Sequence, residues 1–186
     1  MSSHNPNVLP DNLPVPVDDG ACDHLLGMRI PQLPLMSTTG QVVELTKLPG
    51  ETVVYCYPRT GRPGQELPKG WDEIPGARGC TPQSCAFRDN FHSFQKLNVR
   101  VYGLSTQDSD YQREAVKRLN LPFELLSDAQ LKFSQALKLP TFMVEDMALI
   151  KRLTMILNNG KVVKVFYPVF PPDKNAEQVR DWLTRK

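Results

Sequence analysis

Cys80 and Cys85 stand five residues apart in the stretch of this chain whose residue types best suit covalent chemistry. Gly79-Cys80-Thr81-Pro82 reads as the start of a helix. Thr81 is placed to cap it, and Pro82 suits the first helical position, where a backbone N–H has no partner in any case. Cys80 then falls just before or within the first turn, where free amides and the positive end of the helix dipole favour a thiolate. A free thiol with a pKa of about 8.5 is only a few percent ionised near neutrality, so such a position is a direct gain in nucleophile.

A bond between the two sulfurs carries a geometric condition. Five residues of ideal helix rise about 7.5 Å and turn about 140°, which separates the Cα atoms by about 8.6 Å. A disulfide tolerates no more than about 7 Å, so the first helical turn has to unwind before these two can pair. Two other cysteines are present. Cys22 lies at the end of a proline-bearing arm and is an alternative partner for Cys80. Cys56 sits in an apolar strand and reads as a buried small hydrophobe.

The elements around the pair suit one domain with a sizeable core: 186 residues, 40% hydrophobic and 23% charged. Twenty-two Lys and Arg oppose 20 Asp and Glu, a formal net charge of +2, without the basic excess of a nucleic-acid or membrane surface. No apolar run approaches the roughly 20 residues of a membrane span. The opening residues Met1-Ser2-Ser3-His4-Asn5-Pro6 have neither the basic start nor the apolar stretch of a secretory signal, so a cytoplasmic location is the expectation. In a reducing compartment, close cysteines are more often catalytic or metal-binding than structural. His24 and His92 show no compact four-ligand spacing with the cysteines, and no metal or organic cofactor is expected.

Residues 1–24 read as an extended arm, and 25–186 as one continuous domain. Strands are expected at Gln41–Leu45, Thr52–Tyr57, Val99–Leu104, Lys151–Leu157 and Lys161–Phe166, the last two joined by the turn Asn158-Asn159-Gly160. Helices are expected at Thr81–Lys96, with Phe87, Phe91 and Phe94 on one stripe, and at Ser109–Leu119, Asp128–Leu137 and Asn175–Thr184. Asn175 and Gln178 have capping-box spacing. A parallel unit between the strands at 52 and 99 plus a late antiparallel hairpin implies an α/β fold. Its mixed β-sheet, flanked by helices on both faces, is the thioredoxin-like arrangement. The stretch Gly61–Gly79 is long for a loop in a compact domain, which marks it as functional or mobile. Trp71 within it reads as local packing.

Tyr57-Pro58-Arg59-Thr60, followed by Gly79-Cys80-Thr81-Pro82-Gln83-Ser84-Cys85-Ala86-Phe87-Arg88-Asp89, resembles the bacterioferritin-comigratory or Q-type peroxiredoxins. Lys151-Arg152-Leu153-Thr154-Met155-Ile156-Leu157, with Asn159-Gly160-Lys161, is similar to their Arg-bearing strand and hairpin. The resemblance implies a thioredoxin-like fold and a peroxidase that reduces hydrogen peroxide and organic hydroperoxides. It implies Cys80 as the attacking thiolate, Cys85 as the resolving thiol, Arg152 as the group that orients the peroxide, and a thioredoxin-like or glutaredoxin-like reductant. A monomer or weak homodimer is compatible with an internal resolving thiol. The family run Pro-x-x-x-Thr-x-x-Cys would put Pro at 73 and Thr at 77, where this chain has Glu73 and Ala77. Pro58 and Thr60 are the residues expected to take those roles, with 61–76 looped out, and Thr81 is a competing hydroxyl. The alternative is a thioredoxin-fold redox sensor or metal-binding protein without turnover.

Overall fold

The computed structural model describes residues 8–186; the opening residues read for a secretory signal, and Pro6 of the arm, lie outside the described residues. Among the described residues the strands are β1 (Leu35–Ser37), β2 (Val42–Val43), β3 (Glu51–Cys56), β4 (Arg100–Ser105), β5 (Leu125–Ser127), β6 (Thr141–Val144), β7 (Met147–Ile150), β8 (Leu153–Asn158) and β9 (Lys161–Phe166). The α-helices are α1 (Cys80–Asp89), α2 (Phe91–Lys96), α3 (Ser109–Leu119), α4 (Lys132–Ala136) and α5 (Asn175–Thr184). Seven strands form one mixed sheet in the order β2-β1-β5-β4-β3-β8-β9, and β6 and β7 make a separate hairpin. β3 pairs parallel with β4 and antiparallel with β8, and β8–β9 closes one edge.

From Val53 to Cys56 β3 is apolar and buried because both of its faces are covered. Its period of two divides the core in half. Val53, Tyr55 and Tyr57 point to one side, against Phe87 of α1, Phe94 of α2, Ala115 of α3 and Val179 of α5. Val54 and Cys56 point to the other, against Phe133 of α4 and the segment carrying Cys22 and Leu25. Helices thus flank both faces of a thioredoxin-like sheet. The aromatic stripe continues as a stack, with ring centroids 4.4 Å apart for Tyr55–Phe87 and 5.8 Å for Phe87–Phe94.

The long segment before Cys80 folds on its own small apolar cluster. Trp71 and Ala77 are buried with Val144 and Leu149 of the β6–β7 hairpin, and the Trp71 and Phe142 rings are 6.4 Å apart. Asp72 and Arg78 close the segment with an ion pair of 2.6 Å. From Leu67 to Ala77 the stretch is therefore packed against the hairpin opposite it, while residues 63–66 stay exposed.

Several boundaries differ from the sequence pattern, each for a local reason. The helix expected over 81–96 is two, because Asn90 turns its side-chain amide onto the Ala86 carbonyl at 2.9 Å and leaves helical geometry. The helix expected from Asp128 shortens to α4. Asp128 instead receives the backbone amides of Phe133 and Ser134 at 3.0 and 2.8 Å, with Leu131 left-handed between them. The capping box at Asn175 does not form: α5 has no side-chain cap, and Asn175 is buried on other duties. β1, β5, β6 and β7 escaped the pattern because strands of three or four residues carry too little periodicity to register. The Asn159-Gly160 turn forms as expected, with both residues at positive φ.

Candidate functional site

Strand pairing sets the position of the site arginine. Cys56 at the end of β3 lies opposite Leu153 at the start of β8, so Arg152 sits one residue beyond the ladder, at the edge where β3 ends. Lys151–Leu157 was the strand expected; the ladder begins at Leu153 because β3 offers no partner further on. Alternation puts Arg152, Thr154 and Ile156 on the face that carries α1 and α5.

Cys80 is the first residue of α1 and is 3% exposed. The cap is Gly79, not Thr81, and Pro82 occupies the third helical position, not the first. The first-turn amides still have no carbonyl one turn back, so proline there sacrifices nothing. Gly79 adopts φ +102, and a Cβ on it would lie 2.4 Å from Cγ of Pro172. Only glycine lets the chain turn into the helix here beneath Pro172.

Arg152 spends its whole guanidinium on this turn. Nε donates to the Gly76 carbonyl at 3.3 Å, and Nη1 to Oε1 of Gln83. Nη2 donates to the carbonyls of Ala77 and Arg78 at 3.0 and 3.1 Å and lies 3.2 Å from Sγ of Cys80. Arg152 is only 3% exposed, and these partners are neutral oxygens and one sulfur. A buried cation without a countercharge is costly. Negative charge developing at Sγ of Cys80 would face the Arg152 guanidinium and the start of α1.

Gln83 and Asn175 complete the site, and the sequence pattern did not mark either for it. Nε2 of Gln83 donates to Oδ1 of Asn175 at 3.0 Å, and the same oxygen accepts from Oγ1 of Thr154 at 2.7 Å. α1, β8 and α5 are tied together through these buried polar groups. The available signal was that Gln83 falls four residues before Phe87, a polar residue on the inward aromatic stripe.

Cys85 is half-buried on the same unbroken helix, and all four cysteines are free thiols. Burial raises its thiol above the ordinary cysteine value. Two side-chain locks hold the turn between the cysteines: Gln83, and Ser84, which receives the Tyr55 hydroxyl at 3.1 Å. Cys22 belongs to the core on the opposite face of the sheet from Cys80. Its thiol is pushed up to about 12 by burial first and then by Asp19, Asp18 and Asp23. Cys56 is fully buried beside it, and desolvation raises that thiol as well.

Thr60 is buried, but its polar groups go to Gln107. Its amide and hydroxyl approach Oε1 of Gln107 at 2.9 and 3.3 Å, and its carbonyl receives Nε2 at 3.1 Å. Thr81 is also buried in the first turn of α1. Arg88 and Asp89 pair with each other at 2.8 Å on the helix surface. Nε2 of His24 lies 2.8 Å from the Leu137 carbonyl, and among the described residues no group of three or more His, Cys, Asp or Glu side chains is placed to share a metal ion. Among the same residues no helix is long and apolar enough to cross a membrane.

The Redoxin family model matches residues 25–180. A protein named Peroxiredoxin Q, chloroplastic, from Sedum lineare is 34% identical over 154 residues, covering 82% of this chain and 74% of that one. Its namesake from Gentiana triflora is 33% identical over 155 residues, covering 82% of this chain and 64% of that one, so the chain spans slightly less than two thirds of that relative. Among solved structures, the peroxidoxin BcpB from Mycobacterium tuberculosis superposes with a TM-score of 0.70 at 23% identity, covering 86% of this chain and 96% of that one. This chain belongs to the Redoxin family and, within it, to the Q-type or bacterioferritin-comigratory peroxiredoxins.

Proposed function

We propose that this chain is a thiol peroxidase whose attacking group is the Cys80 thiolate. The observation that carries the reading is the 3.2 Å approach of Arg152 Nη2 to Cys80 Sγ at the first residue of α1. The sulfur attacks the terminal oxygen of the peroxide. The S–O bond forms as the O–O bond breaks, and the leaving alkoxide or hydroxide takes a proton to become alcohol or water. Sulfur is oxidised by two electrons to the sulfenic acid, the first and reversible rung of its oxidation ladder. The guanidinium stabilises the charge as it moves from sulfur to the leaving oxygen, and the fixed turn positions the peroxide.

Cys85 is the proposed resolving thiol. Its thiolate attacks the sulfenic sulfur, the S–S bond forms, and hydroxide leaves to be protonated to water. An external dithiol of thioredoxin or glutaredoxin type then returns two electrons and two protons. The first turn of α1 opens to allow this step, because the intact helix holds the two Cα atoms about 8.6 Å apart. Cys85 is favoured over Cys22 because it shares a helix with Cys80, whereas the sheet stands between Cys22 and Cys80.

Peroxide consumption by the wild type and by Cys80→Ser tests the first step; a Cys80→Ser protein of undiminished activity would sink it. Peptide mass mapping after one equivalent of peroxide tests the second. An 80–85 disulfide supports the scheme, a 22–80 link reassigns the partner, and a stable sulfenic or sulfinic acid on Cys80 removes the internal step.

A further inference from the structure

The arm before residue 25 stands outside the stretch that the Redoxin model matches, and it runs along the turn that carries Cys80. Between Val8 and Asp19 it forms no helix or strand, and Pro10, Pro14 and Pro16 keep it extended and semi-rigid. Three contacts fix it. Asp19 accepts from Nζ of Lys151, the neighbour of Arg152, and from the Tyr167 hydroxyl, both at 2.8 Å. Pro16 lies against Gly76, whose carbonyl receives Nε of Arg152; a Cβ on Gly76 would be 3.5 Å from Cγ of Pro16. Leu9 lies over Gly79, where a Cβ would come within 2.8 Å of its Cδ2, and it shares a cleft with Pro82 and Pro172.

The arm thus touches both ends of the segment that seats Arg152 and begins α1. Gly79 is held between Leu9 and Pro172, and its carbonyl accepts the Gln83 amide that closes the first turn. Opening that turn moves Gly79 and Pro82, so an arm docked on them opposes the movement. The hold of the arm itself is light: one ion pair of half-exposed side chains, one phenol and a half-buried leucine. Segments held so lightly lie at the low-stability end of a fold, from which switching elements are drawn. We infer that the arm is a clamp on the turn: docked, it keeps α1 intact and Arg152 on Sγ of Cys80, and closure of an 80–85 disulfide expels it. This rests on the resolving step proposed above. Leu9 acts on Cys80 through Gly79, and Asp19 acts through Leu9; both are positioning residues. The coupling is reciprocal, so the factor by which docking disfavours opening is the factor by which opening disfavours docking.

Hydrogen exchange of the reduced full chain reads the opening of the turn. With Leu9→Ser and Asp19→Asn combined, exchange in the peptide containing Cys80–Gln83 is expected to quicken about tenfold, the scale of a half-buried leucine plus a surface ion pair. Exchange in β4 should keep its wild-type rate. A thermal melt verifies folding, and Asp19→Asn alone, at an exposed position, is a milder variant with an expected gain of about threefold. Unchanged exchange at 80–83 overturns the inference. Equal quickening there and in β4 also overturns it, because the arm then adds only general stability. The reverse direction uses the wild type, reduced or oxidised with diamide, which takes up the two electrons and two protons that Cys80 and Cys85 release as their S–S bond forms. Cleavage by endoproteinase Asp-N before Asp11 should quicken about tenfold in the disulfide form, and an equal rate in both forms overturns the clamp. If mass mapping finds no 80–85 disulfide, the resolving step fails and the clamp on the reduced turn is judged on exchange alone. Neither readout uses peroxide, so a failure of the peroxidase reading is seen separately.

Discussion

Oε1 of Gln83 receives Nη1 of Arg152 one turn into the helix that Cys80 begins, and the other end of the same amide donates to Asn175. The turn that would have to open for the proposed Cys80–Cys85 disulfide is thus the turn on which the arginine is seated. While Gln83 is bonded, Arg152 faces the sulfur and the helix keeps Cys85 away. When the turn opens, Gln83 leaves both partners and its backbone bond to Gly79. On the proposed scheme, the arrangement that attacks peroxide and the arrangement that closes a disulfide exclude one another, and Gln83 takes part in only one of them.

Gln83→Ala should therefore move the two steps in opposite directions. Leaving a buried guanidinium nitrogen and an amide oxygen underbonded costs about 1–3 kcal/mol, measurable by urea unfolding. The peroxide step should slow about tenfold as Arg152 loses its seat. Capture of the sulfenic acid should quicken, read as a shorter lifetime for trapping by dimedone. Rates that both stay at wild-type values would show that Gln83 is filler.

Arg152→Lys keeps the charge and loses the fork. One ammonium cannot reach three carbonyls, an amide oxygen and the sulfur together. The second-order rate constant for hydrogen peroxide should drop about 100-fold or more, in the range seen when a fixed transition-state donor is removed. A drop smaller than about threefold would reduce the role of Arg152 to holding the loop.

Much of the framework around Cys80 was readable in the sequence. The inward stripe placed α1, the β-branched runs placed β3, β4 and β9, and the Asn-Gly turn placed the β8–β9 hairpin, each because the periodicity extends over enough residues to be distinctive. Arg152 was findable only through its resemblance to a known motif, since spacing alone makes it one more charged residue at a strand end. The link from Gln83 to Asn175 was out of reach: the partners are separated by 92 positions and meet only after the sheet has formed. Asn175 even carried a misleading signal, because an asparagine at a helix start usually caps it. The destination of Thr60 was hidden in the same way, as Gln107 lies in a loop after β4 with no pattern of its own.

Thr60→Val removes the hydroxyl but keeps the shape. Because that hydroxyl is 3.3 Å from Gln107 and the amide and carbonyl bonds to the same side chain remain, the expected cost is about 1 kcal/mol of stability. Peroxide reduction should fall less than about fivefold. A loss of 100-fold in stopped-flow single turnover would instead assign the hydroxyl to the reacting oxygens.

Cys56 gives the fold a dependence on alkaline pH whose sign can be worked out. Burial raises its thiol in the folded protein, while in the unfolded chain it titrates near 8.5. Below that pH both states keep the proton and the contribution is fully present. Above it the unfolded state releases the proton while the folded state retains it, so stability falls by about 1.4 kcal/mol per pH unit for this one group. Tyr55 and Tyr57 act in the same direction at higher pH, since burial raises both phenols. Comparison with Cys56→Ala isolates the thiol, because the tyrosines are common to both proteins. The variant should be less stable at pH 8 through its lost packing, and urea unfolding should show the gap narrowing by about 2 kcal/mol by pH 10. A gap that stays constant over that range would mean that the Cys56 thiol ionises inside the folded sheet as readily as it does in water.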